Sequence, residues 1–191
     1  MAQTQTQPSG STYADYRTWP DDRRYELIEG AAYAMAPAPS INHQRMAGEI
    51  YRQIGNALHG KPCQPFIAPV DVLFPQPGEA DDAVRTVLQP DVFVVCDPSK
   101  IASQAIRGAP DWIVEVLSPG TASRDHIAKR RIYETAGVRE YWLVHPEERI
   151  LMIYRLEQGA YGKPDVQELN GTTVVGILPE VSIQWDETPD A

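Results

Sequence analysis

The 191-residue chain carries 26 acidic residues against 17 Lys and Arg, a formal net charge of −9, with 42% hydrophobic and 23% charged residues. That composition is ordinary for a globular protein with one core and excludes wholesale disorder. It also excludes tight nucleic-acid binding through phosphate contacts alone, which calls for a basic surface.

Residues 1–12, small and polar, read as a disordered tail, and residues 13–191 as a single domain. No run approaches the roughly 18–20 apolar residues of a membrane span, and the first residues have neither a basic nor an apolar leader segment. The expected location is therefore the cytoplasm, with no membrane partner. Cys63 and Cys96 stand outside any CxxC or zinc spacing, so two reduced, packed thiols are expected.

From Tyr25 the run YELIEGAAYAMAP alternates apolar and polar positions around Glu29-Gly30, the pattern of a hairpin with a Glu-Gly turn. Ser40 then caps INHQRMAGEIYRQIGNALHG, in which His43, Ala47, Ile50, Ile54 and Leu58 recur at helical spacing and Gly60 supplies the stop. FIAPVDVLF is a short β-rich run ending at Pro75, and QPGEADDAVRT is loop-like. VLQPDVFVVCD and PDWIVEVLSP, joined by a polar connection, have the composition of central strands. A helix from about Ser123 to Ala136, stopped by Gly137, precedes the strand EYWLVHP. Strand, helix, strand is a crossover unit, so the strands around Glu115 and Tyr141 are expected to lie parallel. The remainder reads as short strands joined by Gly-containing turns. The fold class is α/β: a mixed twisted sheet flanked by helices, with a C-terminal antiparallel portion.

Glu115 is the informative residue, because an ionised carboxylate inside WIVEVL is costly unless a partner or a metal compensates it. Asp91, at the start of VFVVC, lies on the neighbouring strand. Two such carboxylates converging with a backbone carbonyl offer the hard oxygen ligands that Mg²⁺ or Mn²⁺ prefers, a site able to activate water. Ser118-Pro119-Gly120-Thr121 lacks the spacing of a phosphate-binding P-loop, which removes an NTPase reading. Arg124, Lys129, Arg130 and Arg131 form a basic run directly after Glu115. Arg124 and Arg130 are its candidate DNA contacts, with a solvated helix face as the plainer account. His43, in the first turn of its helix, is either a packed histidine or a residue placed to meet phosphate. Glu29 is either an auxiliary acid or simply a turn residue. Tyr133 and Trp142 are expected in the core.

YELIEG, APVDVLF, QPDVFVV, WIVEVLSPGT, RDHIAKRRIY and AGVREYWLVHP, in this order across roughly residues 25–185, resemble the bacterial putative restriction endonuclease family of the PD-(D/E)XK nuclease superfamily. The resemblance implies a restriction-endonuclease-like core, a Mg²⁺ requirement and DNA as substrate. Pro90-Asp91 matches the PD element. Glu115-Val116-Leu117 matches the second element, except that Leu117 stands where the lysine belongs. In this family the cation looks displaced onto the following helix, which implies Lys129 as the catalytic lysine, with Asp125 one turn earlier on the same face. Asp71 resembles a recurrent family position and is a candidate auxiliary ligand.

The sequence thus leads to a metal-dependent endonuclease with Asp91 and Glu115 on the metal and Lys129 assisting the attacking water. DNA binding is expected to be weak and metal-assisted, and a two-fold homodimer would suit cleavage of both strands. The alternative is a catalytically degenerate nuclease-fold domain that serves as a DNA-associated or protein-interaction module. Leu117 and the acidic balance favour that second reading.

Overall fold

The computed structural model describes residues 10–20, 23–35, 40–117 and 122–187, with side chains described for all of these except residues 122–126 and 187. A single helical turn, α1 (Tyr13–Tyr16), opens the described chain in a capping box: Thr12 Oγ1 accepts the Asp15 N–H, and Asp15 accepts from the Thr12 N–H. Gly10 and Ser11 donate their N–H groups to the Gly30 carbonyl at 2.9 and 3.0 Å. Residues 10–12, expected to belong to a disordered tail, are therefore held by backbone and cap hydrogen bonds; the rest of that tail lies outside the described residues.

β1 (Tyr25–Ile28) and β2 (Ala31–Ala34) form the expected antiparallel hairpin. Its two-residue turn has φ of 52° at Glu29 and 80° at Gly30, the pair of positive values a type I′ turn requires. A Cβ at Gly30 would also come within 2.7 Å of Arg85 Nη2, the movable end of a side chain, so the positive φ is the stronger demand for glycine. The long helix α2 (Ile41–Leu58) follows, its N-terminus capped by Ser40 Oγ, which accepts the His43 N–H at 3.1 Å. Next come β3 (Gln64–Ile67), β4 (Asp71–Leu73), β5 (Val87–Leu88), β6 (Val92–Val95), β7 (Ala105–Arg107) and β8 (Trp112–Val116). Helix α3 (Ala122–Ala136) ends at Gly137, with φ of 90°. β9 (Glu140–His145), β10 (Ile150–Glu157), β11 (Ala160–Tyr161), β12 (Asp165–Glu168), β13 (Thr172–Val175) and β14 (Leu178–Gln184) complete the chain.

The described strands form a seven-stranded sheet in the order β11-β10-β9-β8-β6-β3, with β12 also on β10, a five-stranded sheet in the order β2-β1-β5-β4-β7, and the hairpin β13-β14. β8 and β9 pair in parallel across the α3 crossover, as expected, and the C-terminal strands are antiparallel. The run VLQPDVFVV, which reads as one strand, is divided. Val87–Leu88 pairs with β1 and β4 in one sheet, while Val92–Val95 pairs with β3 and β8 in the other. Pro90 sits at the break, where its missing N–H cannot join a ladder. The connection between the two central runs, read only as polar, contributes β7, which pairs in parallel with β4.

Alternation along β8 sends successive side chains to opposite faces. Trp112, Val114 and Val116 pack with Ile50 and Ile54 of α2 and with Trp142 and Trp185. Ile113 and Leu117 pack in the other layer, with Tyr133 of α3 and Tyr141. Glu115 shares their parity, so the fold aims it at α3. The cysteines, expected as free thiols, form a disulfide, with Cα atoms 3.9 Å apart. β3 pairs antiparallel with β6 through Gln64↔Val95, and one step further along this register sets Cys63 opposite Cys96.

A second buried acid has a structural task. The Glu140 carboxylate accepts Trp142 Nε1 at 2.6 Å and the N–H groups of Gly176 and Ile177 at 3.2 and 3.0 Å, docking the turn between β13 and β14 against β9. Three donors depend on it. Glu140→Ala should destabilise the protein by on the order of 3 kcal/mol or more, since each abandoned buried donor costs about 1–3 kcal/mol. Urea unfolding should show a lowered midpoint with little change in slope, and an unshifted midpoint would contradict the assignment.

Candidate active site

Asp91 and Glu115 face each other across the ladder between β6 and β8. The register pairs Val92 with Val114, and the next step outward sets Asp91 opposite Glu115. The Val116 N–H donates to Asp91 Oδ2 at 2.8 Å, which fixes the Asp91 side chain beside the residue that follows Glu115. Asp91 is partly exposed, whereas Glu115 is 4% exposed. One carboxylate therefore stands at the rim and the other in the wall.

Compensation for Glu115 comes from α3. Lys129 and Tyr133 are four residues apart on one helical face. Lys129 Nζ lies 3.2 Å from Glu115 Oε1, and the Tyr133 hydroxyl donates to the same oxygen at 2.7 Å. Both side chains are buried, Lys129 at 7% exposed and Tyr133 at 0%. Lys129 is therefore no surface partner, and its ammonium reaches the strand position opposite Asp91 from a helix. Leu117, in the place of the motif lysine, is buried in the layer with Tyr133.

Lys129 has a second and closer partner, Glu26 of β1, at 2.8 Å. Glu26 is fully buried, and its Oε1 also accepts the Gln89 N–H at 3.0 Å. This residue was missed in the sequence. YELIEG reads as a hairpin in which Glu26 is the outward, polar member of an alternating pair, yet Glu26 and Leu27 are both 0% exposed because β1 is covered on both faces. The available signal was the one that identified Glu115, an acid between apolar strand residues.

His43 holds Asp91 from the other side. Its Nε2 lies 3.1 Å from Asp91 Oδ2, the oxygen that also accepts the Val116 N–H, and its Nδ1 is buried without a hydrogen-bond partner. Burial pushes the His43 pKa down, but its bond to Asp91 and the charges of Asp91 and Glu115 outweigh this and raise it above the ordinary value. Burial is also the largest influence on Glu115. Against the attraction of Lys129, and reinforced by the charges of Asp91 and Glu26, it lifts the carboxyl to about 7. For Lys129 burial works toward deprotonation, and Glu115 and Glu26 more than reverse it, so the ammonium holds its proton more firmly than usual.

The auxiliary candidates separate. Asp71, at the start of β4, accepts from the Tyr16 hydroxyl at 2.9 Å and Gln89 Nε2 at 2.8 Å. It is joined to the centre through Gln89 and Glu26, not through Asp91 or Glu115. Glu29 occupies the β1–β2 turn, where its N–H donates to Thr86 Oγ1 and its carbonyl accepts from Arg85, the position the turn account gives it. Arg130, a candidate DNA contact, lays its guanidinium 5.4 Å from the Tyr154 ring centroid. The side chains of Arg124 and Asp125, and the loop Ser118–Thr121, lie outside the described residues.

Among the described residues, no three His, Cys, Asp or Glu side chains converge as a ready metal-binding group. The donor chemistry nonetheless suits Mg²⁺, which is commonly held by one or two carboxylates, with water and substrate phosphate completing its shell. The contacts to Asp91 described above use Oδ2, and those to Glu115 use Oε1. Asp91 and Glu115 are the residues that fit such an ion.

Known proteins bear on this arrangement. Over 138 residues the chain is 30% identical to an uncharacterized protein, slr1290, of Synechocystis sp., a match covering 68% of this chain and 66% of that protein, so it spans just under two thirds of the relative's length. A crystal structure from Anabaena variabilis, described as "a putative nuclease belonging to DUF820", superposes with a TM-score of 0.72 over 93% of this chain and 97% of its own. At 20% identity that likeness concerns the fold. The model of the Uma2 family, described as "Putative restriction endonuclease", matches residues 13–186, from α1 to the end of the last described strands. The chain belongs to this family.

Proposed function

We propose that this protein is a divalent-metal-dependent endonuclease that hydrolyses DNA phosphodiester bonds, with Asp91 and Glu115 holding Mg²⁺ or Mn²⁺ and Lys129 orienting the attacking water. One observation carries this reading: two buried carboxylates, Glu26 and Glu115, share a single lysine, and Asp91, opposite Glu115 in the strand register, adds a third negative charge nearby. Such a surplus of negative charge in a desolvated site is stable only with a further proton or a further cation. Glu115 shares its ammonium with Glu26, and burial together with the charges of Asp91 and Glu26 lifts its carboxyl to about 7.

When bound there, a divalent ion would supply the polarisation that activates water and would offset charge developing on the phosphate oxygens. The protein's own groups have separable tasks. His43 and the Val116 N–H fix Asp91 by one oxygen, and Tyr133 fixes Glu115 in the same manner. Lys129, held between Glu26 and Glu115 with its proton retained, serves as an N–H donor and positive charge beside the nucleophile and not as the base that deprotonates it. The family description and the nuclease description of the Anabaena structure support a nuclease.

The second reading, a degenerate site in a domain that serves as a binding module, draws on Leu117 at the motif lysine position and on the net charge of −9. Calorimetry separates the two. Mn²⁺ titration should show binding that Asp91→Asn abolishes and that His43→Ala weakens by about 10–100-fold, the usual cost of losing a group that orients a ligand. Carboxylate-independent binding, or none, would favour the degenerate module.

Plasmid and single-stranded DNA should be cleaved by the wild type with Mg²⁺ or Mn²⁺. Asp91→Asn and Glu115→Gln should each lower the rate by a factor on the order of 10² or more. Equal cleavage by all three proteins would remove the assignment.

The charge deficit also predicts a pH dependence in chelator. With the Glu115 carboxyl raised from 4.5 to about 7, the folded protein binds a proton across that interval that the unfolded chain has released. Stability should therefore fall as pH rises through the interval. His43, raised above 6.5, adds a decline of the same sign from that value upward. Thermal midpoints in chelator should drop from the acid side of this range to neutrality, and Glu115→Gln should flatten the profile. A wild-type midpoint that rises with pH here would contradict the charge count.

A further inference from the structure

Beside the carboxylate site lie two adjoining clefts of about 360 and 340 Å³, both lined by Asp71 and Gln104. Each is near the lower end of the roughly 300–1,000 Å³ range of small-molecule sites, large enough for a planar ring and too small for a duplex. One wall is aromatic. Tyr16 and Trp19 meet at 5.6 Å between ring centroids, and Trp19 and Tyr25 at 5.1 Å, edge to face, all three only partly buried. Arg17 and Arg23 stand exposed on the same cleft.

The opposite side is polar and acidic. Asp71 is held in place by Tyr16 and Gln89. Gln89, 7% exposed, lines the first cleft and carries a buried amide oxygen with no hydrogen-bond partner. Through its peptide N–H, Gln89 bonds Glu26, the partner of Lys129. The cleft floor is thus one residue removed from the catalytic lysine and two positions before Asp91.

We propose that these clefts form a base-binding site that takes an unpaired nucleobase from the DNA strand being cut, stacking it against Tyr16 and Trp19 and accepting its N–H groups at Asp71 and Gln104. This rests on the endonuclease reading and narrows its substrate to single-stranded or locally unpaired DNA. The acidic floor decides which part of a nucleotide enters. Asp71 repels a phosphate and accepts from the amino and imino groups of a base, edges that a duplex keeps occupied with the complementary strand. The aromatic wall supplies the sequence-tolerant stacking by which single strands are usually held, and Arg23 lies where a flanking phosphate would pass, while Arg17 is engaged by Asp82. It also accounts for how a chain of net charge −9 could engage DNA: through bases more than backbone.

The test is fluorescence anisotropy of a labelled single-stranded oligonucleotide and of the same sequence as a duplex, in chelator so that no cleavage occurs. The full-length wild type should bind the single strand at least about fivefold more tightly than the duplex, and Trp19→Ala should lose at least that factor. Because Trp19→Ala removes packing, Gln104→Trp provides a second variant: position 104 is exposed, and the larger ring fills the wall common to both clefts. It should abolish the single-strand preference with an unchanged thermal midpoint. Equal affinity of the wild type for the two DNA forms, or wild-type single-strand binding by Gln104→Trp, would overturn the proposal. Cleavage without this preference defeats the base site alone. The preference without cleavage defeats the nuclease reading and leaves the base site standing.

Discussion

A lysine buried between two glutamates is the interaction on which the rest of the site depends. Lys129 joins α3 to β8 through Glu115 and to β1 through Glu26, so a single ammonium connects a helix to both large sheets. Such an arrangement is unforgiving, because removing one partner of a buried ion pair typically costs about 3–5 kcal/mol by stranding the other. Here the lysine has two partners, and its loss would strand both. The geometry is maintained by the cores around it: α3 is seated by Tyr133 among Phe74, Tyr141 and Leu143, and β1 by Leu27 in the smaller cluster.

Two buried carboxylates share one ammonium in this site. Glu140 shows what a balanced buried acid looks like, since three N–H groups converge on it and it has a purely architectural task. Glu115 is equally buried but shares its lysine with Glu26 and faces Asp91. The contrast between these two acids singles out Glu115 as a candidate functional carboxylate without reference to any motif.

Much of this was legible in the amino-acid sequence, and the parts that were not share a cause. α2 and α3 announced themselves through apolar spacing, a Ser40 cap and terminal glycines, all local signals. Glu115 stood out because an acid in an apolar strand has an energetic cost that composition alone reveals. Glu26 has the same property but was concealed by the alternation of its hairpin, because its burial depends on β5 and α3, which lie far away in the chain. The Cys63–Cys96 bond likewise depends on the pairing of β3 with β6 across 33 residues. The division of VLQPDVFVV between two sheets turned on Pro90, whose meaning depends on which strands compete for its neighbours. The position of Lys129 came from family resemblance; nothing in its own neighbourhood marks it as buried.

The placement of the lysine on a helix has a consequence for recognising such sites. When acid and lysine share one strand, the distance between them is set by the pleat, and a fixed spacing in the chain is a faithful proxy for the geometry. Once the lysine arrives from a docked helix, any connecting loop that lets the same helical face settle on the strand will serve. Motif searches keyed to spacing will therefore pass over proteins of this design, and a search for an acid in a sheet with a buried cation standing over it will find them.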